Sequence, residues 1–600
     1  MKKHFLCAIL LMAAITLLRP VTATAQYVIS LSDGQQFTWS DMTIVKGDGE
    51  DTWLIRKDGT TSGGTDISRV VSITAKPLAE RTWKAPTYPD DYRYMAGWDT
   101  RSKWNLANIH DPSVMLAEDG YYYMYCTDAG FGDPQNGHGH FHCRRSKNLV
   151  DWKYLGATMN TPPAWVKDSL NSERRRLGLP EISNPQYLYW APCARQVKEG
   201  LYRMYYCIVV DNYIKTGKAN TEANFDNSWT ERAFIGVMET ATPDKANSWV
   251  DKGFVLCSMS DKGKNWTRSS TSDWNGYFRY NAIDPSYIIT PEGEHWLIYG
   301  SWHSGFAAVQ LNPETGKTLK KMPSFYSSQS EMDKVLKRVY TRNANSRWQG
   351  SEAPEVIYNP ETGYYYLFMA YDELDVPYNT RVVRSRKVNG PYLSKTGTDV
   401  TNVGGEAFPI MTHPYKFGND HGWVGISHCA VFNDGQGNWY YCSQGRFPNG
   451  YDGWVPNAIM LGQVRSIRWT SDGWPLVMPE RYSGVPQTPI GESELIGDWQ
   501  NISLSYDKGK QKTSVNFKLK ENHRVSGDWM DGNEWSYDAD NCVLKVGNYK
   551  LYLQREADWE AGKETVGNGT SNTHTGRVKT IVYAGLSGNG NNTFWGKKIQ

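Results

Sequence analysis

Apolar and polar residues alternate along the chain in short runs, broken every few positions by glycine, proline, asparagine or aspartate, and no long segment spaces its apolar residues as an amphipathic helix would. One run sets the pattern. "HDPSVMLAEDGYYYMYC", from His110, joins an Asp-Pro pair, a short apolar stretch, a glycine turn and a strand of tyrosines. It returns as "WAPCARQVKEGLYRMYY" from Trp190, "IDPSYIITPEGEHWLIY" from Ile283, "EAPEVIYNPETGYYYLF" from Glu352 and "HCAVFNDGQGNWYYCS" from His428. Each copy predicts two antiparallel strands about a turn, with further strands in segments such as "FHCRRSKNLVDW" and "TRVVRSRKVNGPY". Roughly four short strands per copy, five times over, is the arithmetic of a β-propeller.

The expected fold is therefore all-β: a five-bladed β-propeller over residues 83–484 and a small antiparallel β-barrel or sandwich over residues 485–600, preceded by a short β-rich module over residues 26–82. The module reads from "QYVISLS", "DTWLIRKDG" and "VVSITAKP", and the C-terminal part from "CVLKVGNYKLYLQRE" and "RVKTIVYAGLS". Gly567 to Gly576 has the composition of a loop.

Composition narrows the function. Rings make up 13% of the residues, with 25 Trp and 38 Tyr, a surplus that suits packed strands or a sugar-stacking surface. A net charge of +2 from 65 basic and 63 acidic residues, without a long basic run, provides no field for nucleic acid or an anionic membrane. The start, "MKKHFLCAILLMAAITLLRPVTATAQ", has the lysines, apolar core and Ala-Thr-Ala of a cleaved export signal over residues 1–25. Its apolar run is short for a membrane span and Cys7 lies inside it, so a secreted or periplasmic protein without a membrane span is expected. None of the remaining eight cysteines forms a CxxC pair, which gives structural zinc no support. Cys193 with Cys207, and Cys429 with Cys442, stand at hairpin spacing, and both disulfides and free buried thiols are open.

Equivalent strand starts in a propeller converge at one end of its channel. The alignment brings together Asp111, Trp190 with Ala191, Asp284, Glu352 with Ala353, and His428. A single Asp-Pro is ordinarily a strand start whose carboxylate satisfies loose backbone amides. Three carboxyls at one rim supply what glycoside hydrolysis needs: a base, a proton donor, and a third charge to tune the donor. Mutual repulsion would keep Glu352 protonated while Asp111 stays ionised.

Through "HDPS", "YWAP", "AIDPS", "YGSW", "SEAPEV", "VVRSRKVNGPY", "GISHCAVF" and "SIRWTSDGWPLV", the chain from Asn108 to Gly484 resembles glycoside hydrolase family 43, above all its endo-acting α-1,5-L-arabinanases. The C-terminal part more weakly resembles the β-barrel module of the extracellular members. The resemblance implies hydrolysis of arabinan, a pectic side chain, by a monomer working through inversion, with Asp111 as base, Glu352 as acid and Asp284 as the residue that tunes that acid. Base and acid would stand about 6.5–9.5 Å apart. It further implies His428 beside a channel calcium held largely through water. Trp190, Trp302 and His303, with Ser301, are candidate sugar contacts because the apolar face of a furanose stacks on a ring, while blade packing is the other reading of the tryptophans. Two positions depart from the family pattern, Cys193 after "WAP" and Cys429 after the channel histidine, as does the segment "AYDELDVPYN" after the acid's strand. His138, His140 and His142 share one side of a strand like a metal comb, although the matching family segment is an ordinary blade strand. Exo-acting arabinanase, α-L-arabinofuranosidase or β-xylosidase activity stays open, as does a carbohydrate-binding propeller without catalysis.

Overall fold

A computed structural model describes the N-terminal strands between residues 26 and 76, and residues 83–86, 96–127, 135–176, 181–210, 233–261, 278–323, 327–448, 460–561 and 577–599. The expected export signal and the loop from Gly567 to Gly576 lie outside these residues. The chain divides into two compact units, one made of the residues up to Lys84 with Gly435–Asn438 and Val485–Pro489, and a second that holds the rest of the propeller and the barrel. In the first, Gln26–Leu31 pairs with Gln36–Thr38 and Val70–Lys76, and a second three-stranded sheet joins Met42–Lys46, Thr52–Arg56 and Thr65–Asp66.

Each of the five sequence copies forms one four-stranded antiparallel sheet from consecutive strands. Blade 1 is Ser113–Leu116, Tyr122–Cys126, His140–Ser146 and Lys153–Met159. Blade 2 is Tyr187–Lys198, Leu201–Val210, Ala233–Thr240 and Val250–Cys257. Blade 3 is Ser286–Ile289, His295–Tyr299, Phe306–Leu311 and Lys337–Tyr340. Blade 4 is Ser351–Asn359, Tyr364–Tyr371, Asn379–Ser385 and Ile410–Thr412. Blade 5 is Cys429–Asn433, Trp439–Gly445, Leu461–Trp469 and Pro475–Val477.

The tyrosine-rich second strands follow from this packing. A blade has a neighbour on both faces, so alternate side chains of one strand enter two different cores and the strand is apolar throughout. In blade 1, Tyr122, Met124 and Cys126 join Phe432 and Tyr440 of blade 5, while Tyr123 and Tyr125 join Tyr189 and Tyr206 of blade 2. Tyrosine suits the place because its hydroxyl can reach a partner at the blade edge. Tyr205 donates to the Gly316 carbonyl at 2.8 Å, and Tyr371 accepts from the Ala407 N–H at 2.9 Å. The ring closes where the segment before blade 1 pairs with blade 5: the Ile109 N–H donates to the Met460 carbonyl and the Gly462 N–H to the Leu106 carbonyl.

One helix, Ala164–Arg176, lies where the apolar pattern gave no sign of it, since its apolar residues, Ala164, Trp165, Val166 and Leu170, are confined to its first two turns and the rest is polar. The eight cysteines among the described residues are free. Their register explains why: Trp190 stands opposite Cys207 and Tyr205 opposite Cys193, while Ala430 faces Cys442 and Ser443 faces Cys429, so neither candidate pair is directly opposed.

The C-terminal part is an eight-stranded antiparallel sheet from Gly497–Ser505 to Asn592–Lys598. Its end strands, Val525–Gly527 and Trp535–Asp538, nearly close a barrel, with the Val525 N–H donating to the Asn533 carbonyl. Barrel and propeller are stitched together. Tyr415–Lys416 pairs in parallel with Lys512–Thr513, and Trp595 donates its indole N–H to the Val477 carbonyl at 2.8 Å. The buried Lys597 ammonium faces Asp558 at 2.7 Å, Glu480 at 3.0 Å and Glu560. Those three carboxyls have the grouping of a metal site, but the lysine supplies their cation. Removing one partner from such a buried set costs roughly 3–5 kcal/mol. No helix among the described residues is long and apolar enough to cross a membrane.

Candidate active site

A backbone signature repeats five times at the head of the inner strands. Asp111, Ala191, Asp284, Ala353 and His428 all have positive φ, between 44° and 57°. For a residue other than glycine this conformation costs roughly 1–2 kcal/mol, and such strain concentrates at functional sites. The next residue is Pro112, Pro192, Pro285 or Pro354, and Cys429 in blade 5. The aligned prolines put Ala191, Asp284 and Ala353 opposite Asp111, with Trp190 and Glu352 one position earlier, and the structure keeps that match; blade 5 alone shifts by one residue, since His428 takes the place of Asp111 and not of His110.

Two residues beyond the turn, side chains tie each blade to the next. Ser113 accepts from the Ala194 N–H at 3.0 Å, Cys193 from Tyr287 at 3.3 Å, Ser286 from Val356 at 3.0 Å and Glu355 from Val431 at 3.2 Å. Cys193, which departs from the family pattern, thus serves as one acceptor of this chain of bonds. Glu355 is further held by Arg195 at 2.7 Å and the Ser286 hydroxyl at 2.8 Å, so its role is structural. Blade 5 has Ala430 at this position, and the joint to blade 1 is made by Gln444, which accepts the Asp111 N–H at 2.8 Å.

The structure brings together four of the expected residues. His428 Nδ1 lies 2.8 Å from Asp111 Oδ1. Burial alone would raise the Asp111 pKa, but the charge and hydrogen bond of His428 override it and hold the carboxyl at about 2. Burial likewise disfavours imidazolium at His428, yet Asp111 and Asp284 push its pKa up to about 9. Asp284 accepts the Ala353 N–H at 2.9 Å, and burial, with Glu352 and Asp111 nearby, raises its pKa to about 8. Glu352 is also raised, first by burial and then by the charge of Asp111, against the hydrogen bonds it accepts. An ionised Asp111 therefore faces two carboxyls that favour holding a proton.

The remaining expected residues divide. Trp302 donates its indole N–H to Glu352 Oε2 at 2.6 Å and Ser301 its hydroxyl to the same oxygen at 3.1 Å, so both act on the carboxyl. His303 is buried, and Trp190 is half-buried against the core between blades 2 and 3. The three histidines do not converge on a metal. His138 stacks on Trp98 at 3.6 Å and His140 on Tyr189 at 3.4 Å. His142 lies between the Tyr154 hydroxyl and the Gly139 carbonyl, and burial, with Arg144 nearby, lowers its pKa to about 3. Sequence reasoning missed Tyr378, whose hydroxyl lies 2.6 Å from Glu352 Oε1. Its signal was present in "AYDELDVPYN", read only as a departure.

Beneath the carboxyls a cavity of about 20 Å³ is ringed by the four prolines and Cys429, with Asp284, Glu355 and His428 in its wall. This is room for about one water or a small ion.

One ionised carboxyl and two that favour a proton, gathered where the inner strands begin, have the chemistry of a glycoside hydrolase. Comparison with known proteins identifies the kind: residues 107–475 match glycosyl hydrolases family 43, and residues 479–596 match the C-terminal lipocalin-like domain. The chain belongs to this family. The extracellular endo-α-(1→5)-L-arabinanase 2 of Bacillus subtilis is 26% identical over 443 residues, 70% of this chain and 81% of that protein. The extracellular exo-α-(1→5)-L-arabinofuranosidase ArbA of Cellvibrio japonicus is 27% identical over 62% of this chain and 86% of its own length. The crystal structure of endo-1,5-α-L-arabinanase from Thermotoga petrophila superposes on 82% of this chain and 99% of its own, with a TM-score of 0.58 at 20% identity, which shows the shared fold.

Proposed function

We propose that the protein is a secreted hydrolase of internal α-1,5-L-arabinofuranosidic bonds in arabinan and acts with inversion. The observation that carries the chemistry is the opposite bias of two carboxyls in one buried site: Asp111 is held ionised by His428, and Glu352 is pushed towards its protonated form. Asp111 takes a proton from water as the water oxygen attacks the anomeric carbon, while Glu352 gives its proton to the departing glycosidic oxygen. Asp284, raised to about 8 by burial and by the charges of Glu352 and Asp111, is coupled to the acid, so that ionising one of the two carboxyls favours the proton staying on the other. The arabinanase names of the relatives support the substrate, and their description as extracellular supports export.

The test is a time course on linear α-1,5-arabinan with products resolved by size. A ladder of oligosaccharides early in the reaction is expected. Arabinose or one short product alone would move the protein to exo action, the activity named for the Cellvibrio relative.

Calcium enters this reading as a group the family implies. In the cavity wall, Glu355 is already engaged by Arg195, Ser286 and Val431, which leaves as metal ligands the Asp284 carboxylate and, once it gives up the proton that Asp111 stabilises, the His428 imidazole. One imidazole and one carboxylate fit a cation that keeps most of its water, since calcium takes six to eight oxygen ligands. When bound, the ion would supply positive charge beneath the three carboxyls. Chelation is expected to lower both activity and melting temperature, with calcium restoring both. Activity unchanged by chelation and by His428→Ala would remove the ion from the reading.

A further inference from the structure

The acid's hydrogen bonds fix where its proton sits. An indole N–H can only donate, so Glu352 Oε2, 2.6 Å from Trp302 Nε1, must be the accepting oxygen in every protonation state. Ser301 donates to the same atom. The proton of the neutral acid therefore belongs on Oε1, whose partner is the Tyr378 hydroxyl. A hydroxyl can reverse: it accepts from Oε1 when the acid is protonated and donates to Oε1 once the proton has left.

Tyr378 is buried, with its ring against Ala353 and Ala370, and it ends the irregular segment that follows the second strand of blade 4. That segment is pinned along its length. Asp372, itself buried and at φ 69°, meets Arg342 at 3.2 Å and Asn379 at 3.2 Å, and Asp375 pairs with Arg446. The C-terminal barrel adds two contacts: the Tyr506 hydroxyl donates to Asp372 Oδ2 at 2.8 Å, and Lys508 meets Glu373 at 2.9 Å. The lysine pair is half exposed and contributes little. The tyrosine bond reaches a buried carboxylate, and its ring also lies under the Arg381 guanidinium.

We propose that Tyr378 is a positioning residue that keeps the acid proton on Oε1 of Glu352, and that the C-terminal barrel, through Tyr506, holds the segment that carries it. The proposal rests on Glu352 being the acid. It gives the barrel a part in the chemistry at the propeller's site, separate from any polysaccharide docking.

Kinetics of Tyr378→Phe and Tyr506→Phe in the full-length protein test it, with fold checked by circular dichroism. Tyr378→Phe is expected to lower kcat on arabinan by about 10- to 100-fold with little change in KM. Because the hydroxyl favours the ionised acid, its loss should move the alkaline limb of the pH profile upward. The loss should shrink on aryl arabinofuranosides with good leaving groups, which need less protonation. Tyr506→Phe should give a smaller loss with the same leaving-group dependence. A folded Tyr378→Phe with the wild-type pH profile, or equal losses on good and poor leaving groups, would overturn the role of Tyr378; unchanged kinetics in Tyr506→Phe would overturn that of the barrel. If Tyr378→Phe fails to fold, Asp375→Ala, which removes the acceptor of Arg446 and frees the segment from it, should show the same leaving-group dependence, and its absence would count against the proposal. Full activity in Glu352→Gln would instead refute the acid assignment.

Discussion

Glu352→Gln is expected to lower kcat on arabinan by about 10²- to 10⁴-fold, the usual contribution of a positioned general acid, while the protein stays folded. The amide keeps the shape of the acid and can keep its contacts: its oxygen accepts from Trp302 and its NH₂ group meets the Tyr378 hydroxyl. What it lacks is a transferable proton. The alkaline limb that Glu352 imposes should therefore disappear, and substrates with good leaving groups should recover much of the rate. An equal loss on every leaving group would show that the side chain matters for binding or folding instead.

Asp111→Asn removes the base, and here good leaving groups should give no rescue, because water activation and not departure is impaired. A fall in kcat at least as large as that of Glu352→Gln is expected, partly restored by a small anion such as azide, which attacks without a base. A second readout is independent of turnover. Without the Asp111 charge, the His428 imidazole loses a partner that holds its pKa at about 9, so its titration, followed by NMR, should move towards neutral pH. An unmoved His428 titration would contradict the ion pair, and unaltered kinetics would contradict the base.

The same pair sets a stability window. Asp111 falls from 3.8 to about 2, so its contribution is present above pH 3.8 and is lost as pH drops through 2. His428 rises from 6.5 to about 9, so its contribution is full below 6.5 and is lost as pH climbs through 9. Both act fully between roughly pH 4 and 6.5.

The wheel was legible because five copies of one hairpin pattern reveal themselves by self-similarity, and aligning their heads found Asp111, Asp284, Glu352 and His428 together. The one-residue shift in blade 5 was hidden, since "HCAV" lacks the proline that fixes the register of "HDPS", "IDPS" and "EAPE", and its histidine matches His110 by type. The pairing of His428 with Asp111 was hidden for another reason: the two stand in the first and last blades, 317 positions apart in numbering, and only ring closure makes them neighbours. Tyr378 sits in a segment without periodicity: "AYDELDVPYN" marked it as a departure, but only the fold points its hydroxyl at the acid. The histidine comb failed because spacing on a strand gives a common face, whereas the aromatic partners Trp98 and Tyr189 come from elsewhere in the chain.

The five left-handed turns have a final consequence. The backbone offers five nearly identical seats around one axis, and its symmetry favours no direction across the channel. Chemistry requires a direction, with water on one side and the departing sugar on the other. The side chains provide it: seats with a carboxylate, a carboxylate and an imidazole are set against two, Ala191 and Ala353, that carry only a methyl group. The alanines stand in blades 2 and 4, one on each side of Asp284, while Asp111 and His428 are neighbours across the ring closure, so the order of the seats gives the channel an ion pair on one side and a lone carboxyl on the other.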